Sequence, residues 1–415
     1  MLVAPALLLL WIVAQIDKTN VSLVIADKRF LSELDLAGHN AQLGGLMSAF
    51  FAGYGIFIPV WGFLVDRFGP RICAIAGSCA WGILLFLSSQ SGHINHYLVI
   101  RFFLGAAEGN LWPVCNALSN RWFPMREHSR IQAFWLSGTT LGTAVGVPLT
   151  ATLMLASGWR SALAELALMS LLPMALFLFI RNWPPGAKPS RPLGSTGAEP
   201  VSLGKPVSLT LALKTAPFWL ITVTQAVVAT SIYTLIQWLP SYLTAVRHLA
   251  FAEMGTWITL GYILAAILTV IAGYIADRTM KRALTASIAC LAFVVLIFPF
   301  SRMSSPVICA VALATLTFVG SIGGALNGAL LHTMVRPEAI ARATGVYVGI
   351  GNFASATGPA AFGYLISSLA GAYWGGFLFL ALVNLLGAGC YFALHRLAMR
   401  QRLPQNASAP AQAVR

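Results

Sequence analysis

Apolar residues in this chain come in runs of about 20, separated by short polar stretches, and do not alternate or recur on a single face. The runs predict helices over 2–26, 43–65, 72–90, 97–120, 131–155 and 160–181, then 214–240, 254–276, 283–301, 306–334, 342–369 and 373–395. Crossing about 30 Å of hydrocarbon takes about 20 such residues, so each run predicts one transmembrane helix. Residues 182–213, opening NWPPGAKPSRPLGSTGAEP, break the pattern once near the middle with Pro, Gly, Ser and charge. They predict a linker between two bundles, 1–181 and 214–397, with a tail at 398–415. The expected fold class is an all-α integral membrane protein, twelve helices in two six-helix pseudo-symmetric bundles.

The opening MLVAPALLLLWIVA has the length of a signal peptide, but it lacks a basic start and runs directly into Gln15, Ile16, Asp17 and Lys18. It reads as the first half of helix one. The absence of a basic segment ahead of it is what a shortened or misassigned start predicts.

Composition agrees with a lipid environment. The 415 residues are 58% hydrophobic and 9% charged, against about 25% charged in globular proteins. A net charge of +14 suggests nucleic acid in a soluble chain, so the placement of the basic residues decides its meaning. Nineteen fall in the loops and ends on the linker side, five on the opposite side, and Lys18 and Arg101 inside helices. By the positive-inside rule both termini and the linker face the cytoplasm. The charge is a topology signal, and no nucleic-acid partner is expected. The six cysteines all fall in predicted helices with no CxxC or Cys/His spacing, so no metal site or cofactor is expected.

GFLVDRFGPR at 62–71 and GYIADRTMKR at 273–282 repeat one pattern, with Asp66 and Asp277 separated by 211 residues, close to half the chain. Duplication of a six-helix unit explains this economically. With these motifs the chain resembles the major facilitator superfamily, whose members carry G-x-x-x-D-R-x-G-x-R between helices two and three and a weaker copy between eight and nine. The resemblance implies the major facilitator fold, a monomer, and a cytoplasmic latch of Gly62, Asp66, Arg67, Gly69 and Arg71 that closes the halves in the outward-open state. Gly273, Asp277 and Arg278 match the second copy, while Met280 stands where the motif has glycine.

An ionisable side chain at mid-membrane costs about 2.5–3.5 kcal/mol on insertion scales. Four are expected there: Asp17 and Lys18 in QIDKTNVS, and Arg101 and Glu108 in RFFLGAAEGNLWP. The spacing of Arg101 and Glu108 puts them within about 20° of one helix face, two turns apart. A buried ion-pair network that only orients helices is the plain alternative, but apolar residues pack as well or better, which favours function. Asp17-Lys18-Thr19-Asn20 and Arg101, Gly105, Glu108 resemble the D-R-x-N and R-x-x-x-G-x-x-E patterns of the anion:cation symporter family of galactonate, hexuronate and phthalate permeases. Lys18 keeps the charge of the usual arginine without its bidentate fork.

This resemblance implies proton-coupled import of a small organic anion, a sugar acid or other carboxylate, across a bacterial inner membrane. Asp17 and Glu108 are the expected proton carriers, with Glu108 the main one, and Lys18 and Arg101 the expected anion ligands. Asn20, Tyr54, Tyr233 and Asn352 are further substrate-binding candidates; aromatic-belt anchoring is the alternative for the neighbouring Trp238, and small-residue packing explains the glycines and Ser355 beside Asn352. Pro113, Pro148 and Pro359 are expected to kink their helices. A uniporter or exchanger without net proton coupling is the runner-up. A membrane enzyme or receptor lacks a nucleophile with a base, a metal cluster or a soluble domain. Aliphatic sugar acids and aromatic carboxylates both fit.

Overall fold

The computed structural model describes residues 2–124, 127–185, 208–279, 281–319, 322–332, 334–335 and 340–407, and these are almost wholly helical. The first half comprises α1 (Val3–Val24), a short α2 (Lys28–Glu33), α3 (Asn40–Phe68), α4 (Pro70–Ser89), α5 (Ile94–Glu108), α6 (Leu111–Trp122), α7 (His128–Met169) and α8 (Leu171–Phe179). The second comprises α9 (Leu209–Ala212), α10 (Ala216–Ala245), α11 (Phe251–Thr279), α12 (Arg282–Ser301), α13 (Pro306–Val319), α14 (Ile322–His332), α15 (Ile340–Ser355), α16 (Thr357–Ser368) and α17 (Trp374–Ala407). Among the described residues, seven helices are each long and apolar enough to cross a membrane, and one of these stretches, Phe134–Phe179, is long enough for two crossings. Together the segments make the twelve expected spans.

Where a span divides, local chemistry explains most cases. The fourth span breaks at Gly109–Asn110 and the eleventh at Ala356, each three or four residues ahead of a proline, Pro113 and Pro359. A proline removes the hydrogen bond to the preceding turn. Pro148, expected to kink its helix as well, lies inside α7. The same helix turns at Gly158, whose φ of 81° marks the boundary between the fifth span and the sixth. Gly69 has the same role between α3 and α4 at φ 87°, followed by Pro70 in the first helical turn.

The duplication is visible in the packing. Spans one and five pack together, as do seven and eleven; two pairs with four as eight does with ten, and three with six as nine does with twelve. Glu108 and Leu111 flank the break in the fourth span. The halves meet through α3 against α15 and α16, α7 against α11, and α1 against α10. At the end away from the linker, the Ser48 hydroxyl accepts from the Ala360 N–H at 3.1 Å and Gln237 Nε2 donates to the Leu43 carbonyl at 2.7 Å. Thr259 donates to the Ala144 carbonyl at 3.0 Å.

Large apolar side chains such as Phe63, Ile72, Ile83, Val295 and Leu382 face outward, as lipid contact requires. Glycines set the closest internal approaches. Gly138, Gly142 and Gly146 of α7 form a stripe against Leu8, Ile12, Gln15 and Ile16 of α1. A Cβ at Gly53 would meet the Phe102 carbonyl, and one at Gly105 the Phe50 carbonyl, so α3 and α5 touch backbone to backbone. Gly53→Ala or Gly105→Ala is accordingly expected to cost about 1–3 kcal/mol by overpacking. A lowered midpoint of thermal unfolding in detergent, followed by tryptophan fluorescence, is the check.

Candidate functional site

Helix α1 is enclosed by α7 on one side and α10 across the halves, so Gln15 to Val24 are all buried. Its hydroxyls are satisfied locally: Thr19 donates to the Gln15 carbonyl at 3.0 Å and Ser22 to the Thr19 carbonyl at 2.6 Å. Asp17, Lys18 and Asn20 are left to interact across helices. Opposite them α5 presents Arg101 and Glu108, with Gly105 between them clearing the way for α3. That contact accounts for the motif glycine. It also brings Phe50 and Tyr54 onto Lys18, whose Nζ lies 5.5 and 5.3 Å from their ring centroids.

The four charges sit between α1 and α5, each 0–2% exposed. Lys18 Nζ pairs with Glu108 Oε2. Arg101 instead turns to neutral acceptors, Nη2 donating to Asn20 Oδ1 at 2.7 Å and Nη1 to the Asp17 carbonyl at 3.4 Å. Its guanidinium also lies over the Tyr97 ring, 5.5 Å from the centroid. The Asp17 carboxylate has no hydrogen-bond partner among the described residues, although Glu108, Lys18 and Arg101 are all within electrostatic reach. Glu108 Oε1, Arg101 Nε and Asn20 Nδ2 are likewise without partners. Buried polar atoms are ordinarily satisfied, so this concentration of unpartnered atoms makes the cluster the leading candidate for the functional site.

Arg101 and Glu108 share a face, as their spacing requires, but they sit at different depths and bind different partners. Positions 211 residues later are Val228, Ala229, Val319 and Ala312, so the second half has no counterpart of the four charges. Among the described residues no group of three or more His, Cys, Asp or Glu side chains could hold a metal ion.

Of the other candidates, Tyr54 is buried and its ring stacks on Phe50, centroids 5.9 Å apart. The Trp112 indole lies beside its hydroxyl. Tyr233 comes from the second half and packs on Phe51 at 4.2 Å between centroids, within electrostatic reach of Glu108. Asn352 is buried and its Nδ2 donates to the Val348 carbonyl of its own helix at 2.8 Å. It makes no described contact with the four charges. Phe50, Phe51 and Tyr97 were not singled out from the sequence, though Tyr97/Arg101 and Phe50/Tyr54 both have the i, i+4 spacing that brings helix neighbours into contact.

The motif at 62–71 is tied to the sixth span. The Arg71 N–H donates to Asn182 Oδ1 at 2.9 Å, and its side chain donates to the Phe177 and Leu178 carbonyls at 3.2 and 2.5 Å, capping the end of α8. Gly69 packs on Asn182, and Gly62 has open space where a Cβ would be. Asp66 and Arg67 are exposed, and Asp66 is within electrostatic reach of Arg121, which lies over Trp183 at 4.7 Å. None of these contacts crosses to the second half. Arg278, in the last turn of α11, is exposed, while the Asp277 and Gly273 side positions and Met280 lie outside the described residues.

The profile of the Major Facilitator Superfamily matches residues 7–359. The hexuronate transporter of Bacillus subtilis (strain 168) is 24% identical over 385 residues, 90% of this chain and 90% of that protein. The probable L-galactonate transporter of Escherichia coli (strain K12) is 25% identical over 369 residues, 84% of this chain and 79% of its own. The probable sulfoacetate transporter of Cupriavidus necator is 28% identical over 281 residues, 66% of this chain and 64% of its own. Among solved structures, a bacterial homolog of the human lysosomal transporter Spinster, inward-facing and unoccupied, superposes with a TM-score of 0.73 at 17% identity, covering 96% of this chain and 97% of the other. At that identity the likeness concerns the fold.

Proposed function

Because the chain belongs to the Major Facilitator Superfamily, we propose that it imports a small organic anion, a sugar acid or other carboxylate, together with protons by alternating access of its two halves. The superfamily is one of transporters, and the chain is accordingly not an enzyme. The observation that carries the proposal is the division of the buried charges: Lys18 is held by Glu108, while Arg101 has only neutral acceptors. Relatives named for hexuronate, galactonate and sulfoacetate support an anionic substrate.

In the proposed cycle, protonation of Glu108 releases Lys18, and Lys18 with Arg101 binds the substrate's acidic group. Asp17, buried without a partner, takes a second proton when the substrate carries a second charge. One proton per substrate charge keeps the loaded site neutral, as the empty site is, which avoids moving net charge through the membrane. Asn20 steadies Arg101, Tyr54 and Tyr233 close on the substrate from the two halves, and Asn352 offers its amide from the eleventh span. The bundle ends at 38–48 and 359–367 meet across the halves on the proposed periplasmic side, and the cycle requires the linker end to open to the cytoplasm. In the opposite state Asp66, Arg67 and Arg71, with Asp277 and Arg278, act as the cytoplasmic latch. The protein works as a monomer in the bacterial inner membrane with both termini cytoplasmic, on the positive-inside argument.

The test is uptake of radiolabelled glucuronate, galactonate and sulfoacetate into energised membrane vesicles with and without a protonophore. The proposal expects uptake of one of these to collapse on protonophore addition. Uptake that ignores the protonophore but requires anion inside the vesicle would replace symport by exchange.

A further inference from the structure

The guanidinium of Arg101 is fully buried, its Nε has no partner, and no carboxylate lies within ion-pair distance among the described residues. Two hydrogen bonds to acceptors on α1 fix one side of it. The other side rests on the ring of Tyr97, one turn earlier in α5. The Tyr97 hydroxyl is buried and has no hydrogen-bond partner among the described residues, so the ring is the part that acts on Arg101.

Tyr97 is itself supported from the end of the bundle away from the linker. Phe30 of α2, 0% exposed, packs on it at 5.9 Å between centroids. Phe30 in turn meets Trp159 edge to face at 5.0 Å. Trp159 Nε1 donates to Glu33 Oε2 at 3.1 Å, and Arg160 Nε donates to the same oxygen at 3.2 Å. Arg160 also donates to the Ser89 and Ser91 carbonyls at 2.9 and 3.0 Å, where α4 ends. Asp27 caps the start of α2, accepting the Arg29 N–H at 2.8 Å. The short helix is thereby fastened at both ends, with its one buried apolar side chain behind Tyr97.

The geometry points to Tyr97 as a positioning residue for Arg101, with α2 holding it through Phe30, so that the guanidinium is presented to the anion in one orientation. This rests on the anion-transport reading above for its functional meaning, but the orientation of Arg101 can be measured without transport. A ring beneath a desolvated cation contributes enough to alter affinity by about 2- to 30-fold when removed.

The experiment compares Tyr97→Phe, Tyr97→Leu and Phe30→Leu with native protein in two assays. In proteoliposomes supplied with glucuronate, galactonate or sulfoacetate, Tyr97→Leu is expected to raise KM about 2- to 30-fold with kcat nearly unchanged, and Tyr97→Phe to restore the native KM. In detergent, phenylglyoxal modification read by peptide mass spectrometry should be several-fold faster at Arg101 in Tyr97→Leu and Phe30→Leu, native in Tyr97→Phe, and unchanged at Arg160. Native modification rates at Arg101 in both leucine variants, or a Tyr97→Phe protein as impaired as Tyr97→Leu, would overturn the assignment. Native protein that transports none of the anions while the modification pattern holds would count against the transport reading and leave the role of Tyr97 supported.

Discussion

Arg101→Ala is expected to reduce kcat/KM for the transported anion about 10²–10³-fold while leaving the protein folded. Removing one partner of a buried hydrogen-bonded charge contact costs about 2–5 kcal/mol, and each 1.4 kcal/mol is about tenfold. The fold is expected to survive because the hydrogen-bond acceptors released, Asn20 Oδ1 and the Asp17 carbonyl, are neutral and the Lys18–Glu108 pair is left in place. Arg101→Lys should fall between, since lysine keeps the charge but not the planar fork, and Asn20 Oδ1 and an incoming carboxylate would compete for it. Uptake kinetics in proteoliposomes, with thermal unfolding as the control for folding, measure this.

The second large effect is expected from Glu108→Gln, and it is different in kind. The amide keeps an oxygen to accept from Lys18 Nζ but cannot alternate between a charged and a neutral form, so Lys18 is no longer reclaimed when the anion should leave. Uphill accumulation is expected to fall by about 10²-fold, the scale of losing a charge-assisted contact of about 3 kcal/mol, while exchange of external for internal anion continues. Counterflow and proton-driven uptake, measured on the same vesicles, separate the two. If both fall together, Glu108 serves only to hold Lys18 in place.

These two effects were legible in the sequence to different degrees. The charges themselves were, because four ionisable residues inside apolar runs stand out against lipid-compatible neighbours. The fold was legible for a related reason: hydrophobic runs count crossings, and the repeat of Asp66 at Asp277 gave the division into halves. The pairing was not. Helical spacing fixes the face on which Arg101 and Glu108 lie, but not which residue of α1 meets each of them. Long flexible side chains such as Lys18 and Arg101 can reach a turn in either direction.

Other features were hidden because each depends on a neighbouring helix. Gly105 reads as a motif letter until α3 is seen to touch it with a carbonyl. The stripe Gly138, Gly142 and Gly146 reads as small-residue composition until α1 lies in it. Helix α2 is six residues long, too short for any periodicity, and its importance comes from Phe30 reaching Tyr97. The break in the fourth span, by contrast, is announced by Pro113.

The central claim is that the buried charges couple an organic anion to protons, and lumen acidification tests it most directly. Purified protein in sealed liposomes with an internal pH dye is offered glucuronate, galactonate or sulfoacetate, with protein-free liposomes as the control for permeant acids. The account predicts acidification with one of these anions that disappears in Arg101→Ala and in Glu108→Gln. Radiolabelled anion exchange in the same vesicles without any acidification would contradict it and make the Lys18–Glu108 pair a structural contact.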